Sequence, residues 1–141
     1  MAESWTEPVY VLVSRMPATL IGLWSLLQTG AVAASELALL PGLDDDLSLT
    51  LTSADLQEAA RELEWAQPRL PSSGLVLKVG TAPLNDVQGC RAAIAALIEA
   101  ASRAAIGVLG QSEASTADLL AVVRLLPSLS AAQLRMIGRQ P

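Results

Sequence analysis

Apolar positions along this chain follow two different periods, and each period predicts a different kind of element. Residues 9–13 form an unbroken, valine-rich apolar run, which predicts a short strand buried on both faces. Over 47–52, leucine alternates with serine or threonine, which is the pattern of a strand with one face in the core and one in water. Residues 75–79 are again apolar and β-prone, and Gly80 ends them, so they predict a third strand.

Most of the remaining chain carries apolar residues at helical spacing. The ends of the helices are predicted from capping residues, glycine and proline. The predicted helices cover about 17–29, 32–40, 53–67, 86–109, 116–126 and 131–137, with breaks at Gly30, Pro41, Pro68, Gly110 and Pro127. Ser130 and Gln133 have the spacing of a capping box for the last of these helices.

This order of elements predicts an α+β fold. A small three-stranded sheet would be formed by strands near 9–13, 47–52 and 75–79, with helices packed mainly on one face and a helical C-terminal third. The 22 residues from Ser53 to Gly74 suit a right-handed crossover between two parallel strands. We expect a single domain over 1–141, with a strand and helix part (1–84) and a helical part (85–141), because 141 residues can enclose one core.

One uncharged stretch is long enough to cross a bilayer. It runs for 20 residues from Met16 to Ser35. Its large apolar residues lie on one side at helical spacing, which indicates an amphipathic helix packed on a core. The first seven residues contain two glutamates and no basic residue, so no secretory signal peptide is predicted. We therefore expect a cytoplasmic protein and no membrane partner.

Composition excludes several classes of active site. The chain has no histidine, which removes imidazole bases and imidazole metal ligands. Its single cysteine, Cys90, cannot form an intrachain disulfide and is interpreted as a small core residue. Lys78, the only lysine, is interpreted as a solvent-facing charge, and no phosphate-binding glycine motif occurs. No catalytic residue, cofactor or metal is therefore predicted.

Charge and hydropathy point instead to a surface that binds protein. Only 16% of the residues are charged, well below the usual ~25%. The helix over 116–126 is apolar on nearly every side, so either the chain encloses it or a partner covers it. The predicted docking residues on this helix are Leu119, Leu120, Val123 and Leu126.

Acidic residues form a second candidate surface. Residues 1–64 carry ten acidic and two basic side chains, while 65–141 carry four acidic and seven basic ones. Such asymmetry can orient a protein on its partner. We expect the acidic face to tune the choice of partner. Its predicted residues are Asp44, Asp45, Asp46, Glu58 and Glu62.

The favoured function is a non-catalytic protein–protein interaction module, such as an adaptor, an assembly subunit or a chaperone-like partner, that binds another protein or forms a homo-oligomer. The open edge of strand 47–52 offers a further docking feature. One alternative is a winged-helix transcription regulator, with its recognition helix at 53–67; that helix is acidic, so we expect no nucleic-acid binding. A second alternative is an enzyme that uses carboxylates alone.

Overall fold

A computed structural model of the chain describes residues 5–43 and 47–137. Every regular element within these two ranges is a helix, and neither range contains a β-strand. The predicted α+β fold with a three-stranded sheet is therefore wrong. The helices are α1 (Thr6–Arg15), α2 (Leu20–Ala38), α3 (Ser48–Ala66), α4 (Leu70–Ser73), α5 (Val87–Leu109) and α6 (Thr116–Ile137), with a 3₁₀ turn at Leu84–Asp86 before α5.

The four longest helices form a ring. Helix α3 packs against α2 and α6, α5 also packs against α2 and α6, and α1 lies against α5. This is a four-helix bundle in which α3 and α5, neighbours in the sequence, stand at diagonal positions. The chain therefore needs a crossover between them. Residues 67–86 provide it and pass beside α2 on the way.

The core is built from aliphatic side chains and alanine. Each of the four long helices contributes a leucine that is at most 1% exposed: Leu27, Leu56, Leu97 and Leu125. Burying one such side chain stabilises the fold by roughly 1.5–3 kcal/mol. Buried alanines, such as Ala60 and Ala105, allow neighbouring backbones to approach closely. Leucine ridges and alanine contacts therefore hold the bundle together without aromatic layers.

The first predicted strand, 9–13, lies inside α1. Val9 and Leu12 are buried, while Tyr10 and Val11 are 45% and 43% exposed. Burial at positions i and i+3 is the pattern of a helix with one face on a core. The strand prediction was wrong because the preference of valine for strands contributes less to stability than the packing of this face of α1 on the core.

The second predicted strand, 47–52, forms the start of α3. Leu47 precedes the helix with a left-handed backbone (φ 62°), Leu49 is buried, and Leu51 is 46% exposed. The next buried positions are polar, because Thr52 and Ser53 face the core. Residues 47–52 therefore form no strand edge, and the docking feature predicted for that edge is wrong.

The helices predicted over 17–29 and 32–40 are one continuous helix, α2. Thr29 and Gly30, taken as its breakers, are both buried within it. Gly30 makes room for α3, since a Cβ atom there would lie 3.0 Å from Cδ1 of Leu56. Thr29 uses its hydroxyl to hold the crossover, as described below.

The predicted break at Pro127 is also wrong, because α6 continues through it to Ile137. Proline costs an interior helix one backbone hydrogen bond. Pro127 is exposed, so the backbone carbonyl one turn earlier, which would accept a hydrogen bond from an N–H at this position, lies on the solvent side of α6. Ser130, predicted as a helix cap, lies within α6.

The third predicted strand, 75–79, runs beside α2 as a single extended segment without a partner strand among the described residues. The backbone N–H of Leu75 donates to Oγ of Ser25 (3.0 Å), and that of Leu77 donates to Oγ1 of Thr29 (3.2 Å). Two hydroxyls one helical turn apart are separated by about 6 Å along the axis. Alternate residues of an extended chain are separated by about 6.6 Å. The two spacings match, so α2 holds this segment by its alternate N–H groups.

Candidate docking surface

Helix α6 buries one side and exposes an apolar side to solvent. The buried side, which includes Val122, Leu125 and Leu129, packs into the bundle. Exposed residues on the other side recur at alternating intervals of four and three. They are Thr116, Leu120, Val123, Pro127, Ser130 and Leu134, and we call them the outer stripe of α6. Leu120, Val123 and Leu134 are 47%, 51% and 67% exposed, which is unusual for large apolar side chains on one face.

A tryptophan of α3 extends this apolar surface. Trp65 is 84% exposed and lines a shallow hollow of about 170 Å³ together with Leu120, Glu62 and Arg124. The hollow brings together two residues predicted from sequence, Leu120 and Glu62. Trp65 was missed, although it lies outside the helical spacing of the buried residues of α3, and an unburied tryptophan is a common feature of protein interfaces.

The other predicted docking residues are placed less favourably. Leu119 and Leu126 are half-buried, and Leu126 packs against the core. Glu58 is exposed and forms an ion pair with Arg61 one turn away (3.4 Å). Such exposed pairs contribute little stability. The predicted residues Asp44, Asp45 and Asp46 lie outside the described residues.

Polar contacts fix α6 on α3. The guanidinium of Arg135 donates to the carboxylate of Asp55, and both side chains are less than one-third exposed. At the other end of α6, Nε2 of Gln67 donates to Oδ1 of Asp118 (3.3 Å). Because both ends are tied to the bundle, the outer stripe is presented on a rigid helix.

The only cysteine of the chain is buried in the core. Cys90 is fully buried, and burial raises the pKa of its thiol from 9.0 to about 11, with a further contribution from the Asp86 carboxylate. A thiol with such a pKa is almost entirely protonated at neutral pH and is a poor nucleophile. This supports its interpretation as a core residue.

Three acidic side chains of α3 each contact a different partner residue. Asp55 binds Arg135, Glu58 binds Arg61, and Oε2 of Glu64 accepts a hydrogen bond from Nε1 of Trp24 (3.1 Å). Within 5–43 and 47–137, no group of three or more acidic or cysteine side chains is arranged to hold a metal ion.

Three segments are long and apolar enough to cross a membrane by length and composition. They are Leu20–Ala38, Leu84–Leu109 and Thr116–Met136. Within the bundle, 67%, 50% and 28% of their most apolar stretches are buried, so the last has the smallest buried share. No family model, no curated protein and no solved structure matches this chain. The geometry of the chain itself is therefore the basis of the function proposed below.

Proposed function

We propose that this protein is a non-catalytic interaction module whose docking surface is the outer stripe of α6 with Trp65. The observation that carries the proposal is the exposed apolar stripe on a helix whose opposite side is already buried. Polar contacts hold both ends of α6 on α3. The stripe is therefore a fixed surface that loses contact with water only when a partner covers it.

The spacing of the stripe indicates the shape of its partner. Intervals of four and three residues average 3.5, which is the repeat that lets two helices pack along a common seam. The stripe runs over Thr116 to Leu134, or five turns. A second helix lying along α6 would cover all of it.

The composition of the stripe favours a second copy of this chain. An antiparallel copy of α6, related by a two-fold axis near residue 125, places each leucine of the stripe opposite a small residue. Leu134 then faces Thr116, Leu120 faces Ser130, and Val123 faces Pro127, which is of similar size. A two-fold interface requires a surface that is complementary to itself, and this pairing of the leucines with small residues fulfils that requirement.

Helix α3 supports an aqueous rather than a lipid setting for the bundle. It packs between α2 and α6, yet it carries five charged side chains. They are Asp55, Glu58, Arg61, Glu62 and Glu64. Placing such a face in hydrocarbon would cost several kcal/mol for each unpaired charge. For this reason we propose a cytoplasmic, protein-bound surface.

The molar mass in solution tests the proposal. We expect light scattering on the intact chain at micromolar concentration to give about twice 14.7 kDa. The Val123→Asp variant places two carboxylates beside the two-fold axis and should be monomeric with unchanged helix content. Ile106→Asp is the matched control, because Ile106 is also an exposed apolar residue (68%, against 51% for Val123) but lies on α5, outside the stripe. It should remain a dimer.

Three outcomes would overturn the proposal. A wild-type chain that is monomeric at all concentrations would show that no second copy covers the stripe. A dimer that persists in Val123→Asp would place the interface elsewhere. Partition of the wild-type chain into neutral phosphatidylcholine vesicles, lost in Val123→Asp, would assign the stripe to lipid instead.

A crosslinking experiment tests the antiparallel register. The double variant Leu120→Cys with Ser130→Cys places thiols opposite each other across the two-fold axis and should form a covalent dimer under mild oxidation. Leu120→Cys with Leu134→Cys is the control, since those positions do not face each other. The buried Cys90 should not react in either variant. Equal crosslinking of both variants would contradict this register.

A further inference from the structure

Two side chains of opposite charge line the hollow beside Trp65 without binding each other. Glu62 comes from α3 and Arg124 from α6. They form no ion pair, and neither side chain has a hydrogen-bond partner within 5–43 and 47–137. The hollow therefore offers one unpaired carboxylate and one unpaired guanidinium.

This hollow lies next to the two-fold axis proposed for the dimer. The two polar contacts that tie α6 to α3 join the start of each helix to the end of the other, so the helices run antiparallel. Glu62 therefore lies at the end of the hollow formed by Arg124, and Trp65 lies toward the end formed by Ala117. Arg124 is one residue, or about 1.5 Å along the helix, from the axis near residue 125.

Two-fold symmetry brings Arg124 of a second copy to this hollow. An axis perpendicular to two antiparallel helices places the same edge of each helix side by side. Arg124 lies on the edge of α6 that faces α3, so each Arg124 lies beside the hollow of the other copy. A hollow with charges of one sign would repel its own copy. One glutamate and one arginine instead make the hollow complementary to itself.

The second copy also leaves room for the indole of Trp65. Ala131 lies on the same edge of α6 as Arg124, because residues seven apart share an edge of a helix. In the antiparallel copy it lies six residues from the axis, next to Leu120, which lies five residues from the axis. Leu120 lines the hollow together with Trp65. The exposed indole therefore faces an alanine.

We propose that the hollow beside Trp65 is completed by Arg124 of a second copy of this chain. The guanidinium of that copy binds the carboxylate of Glu62 and stacks on the indole of Trp65, which attracts a cation to its face. The symmetry repeats the contact with the roles of the two copies exchanged. This inference rests on the dimer proposed above, and it assigns the residues that make the interface specific for a second copy.

Mixing two charge-reversal variants tests for pairing between copies. Glu62→Arg places like charges at both contacts of its homodimer, and Arg124→Glu does the same. Each should raise the dissociation constant of the homodimer by about tenfold or more. In a heterodimer of the two variants, both contacts join opposite charges. Heterodimers should therefore exceed the share expected from random pairing, as counted by native mass spectrometry, which separates the three dimers by mass.

The ion pair of Glu99 with Arg103 provides the matched control. It lies on α5 (2.9 Å), outside the hollow. Glu99→Arg and Arg103→Glu change the net charge by the same amounts as the test variants. Both control variants should dimerise like the wild-type chain and, when mixed, should pair at random. A preference for heterodimers in the test mixture alone would therefore report on the hollow and not on net charge.

The fluorescence of Trp65 tests the same contact with both charges intact. Trp65 is 84% exposed, whereas Trp5 and Trp24 are each 3% exposed, so acrylamide should quench mainly Trp65 in the monomer. Quenching should decrease as the protein concentration rises through the range in which light scattering shows dimer formation. In Trp65→Phe, quenching should not depend on protein concentration.

These measurements separate the inference from the dimer itself. A wild-type chain that is monomeric at all concentrations would overturn both. A wild-type dimer in which Trp65 remains open to acrylamide would overturn this inference alone, as would single variants that dimerise as tightly as the wild-type chain. Random pairing of weakened test variants would assign Glu62 and Arg124 to a contact within one chain and would also overturn it.

Discussion

Replacing Thr29 with valine tests how α2 holds the crossover. Thr29 is fully buried, and its hydroxyl accepts a hydrogen bond from the N–H of Leu77. Valine has nearly the same shape, so the change creates no cavity and leaves mainly an unpaired, half-buried N–H group. Such a group costs about 1–3 kcal/mol. For 141 residues, this lowers the melting temperature by about 3–10 °C.

Thr52→Val is the matched control for this experiment. Thr52 is also fully buried, but its hydroxyl has no hydrogen-bond partner among the described residues. Removing an unpaired buried hydroxyl should leave the free energy of unfolding unchanged or raise it. Both variants would be melted in parallel by far-ultraviolet circular dichroism. Equal destabilisation of the two would refute the reasoning, because the bond to Leu77 would then explain nothing.

Four further predictions follow from individual contacts. The folded state raises the pKa of the Cys90 thiol from 9.0 to about 11, so between these pH values only the unfolded chain loses this proton. The free energy of unfolding should therefore fall as pH rises above 9, and Cys90→Ala should remove that fall in urea titrations. Arg135→Gln should lower the free energy of unfolding by about 1.5–3 kcal/mol, measured by urea denaturation, because Asp55 loses its charged partner. Gly74→Ala should lower the melting temperature, since a Cβ atom there would lie 2.3 Å from the ring of Trp24. A gel-shift titration at low salt should show no binding of duplex DNA, because the helix assigned to recognition is acidic.

The sequence predicted the long helices well where their buried side was apolar. Helix α5 spans Val87–Leu109, close to the predicted 86–109. The errors arose where buried positions are polar or glycine. In α3, Thr52 is buried while Leu51 is 46% exposed, so the alternation of leucine with serine and threonine over 47–52 did not separate core from surface. The next residue, Ser53, is also buried and donates to the carbonyl of Ala31 (2.9 Å). Only the contact with α2 shows why a serine is buried there.

The segment 75–79 shows a different limit of sequence reasoning. Its β-prone composition predicted an extended conformation, and the chain is extended there. The pattern could not show that its neighbour is a helix, because the hydroxyls of Ser25 and Thr29 look like ordinary helix-surface residues in the sequence. The segment was therefore assigned to a sheet, although the described residues 5–43 and 47–137 contain no strand.

The candidate docking surface was predictable in part. Low charge over 116–126 indicated an apolar helix that either the chain or a partner must cover, and Leu120 and Val123 are exposed in the structure. Whether Leu119 and Leu126 face outward depends on the rotation of α6 about its axis, which is fixed by contacts distant in sequence, such as that of Arg135 with Asp55. The contacts that fix this rotation also place Trp65 of α3 beside Leu120 of α6.

Bundle topology explains how the crossover and the outer stripe arise. Because α3 and α5 are diagonal, the connecting chain passes outside the ring and is held by α2. The outer stripe arises differently, from an α6 that has large apolar residues on both sides although the bundle buries only one. Substitutions in the stripe should therefore leave the contacts between α2 and the crossover unchanged.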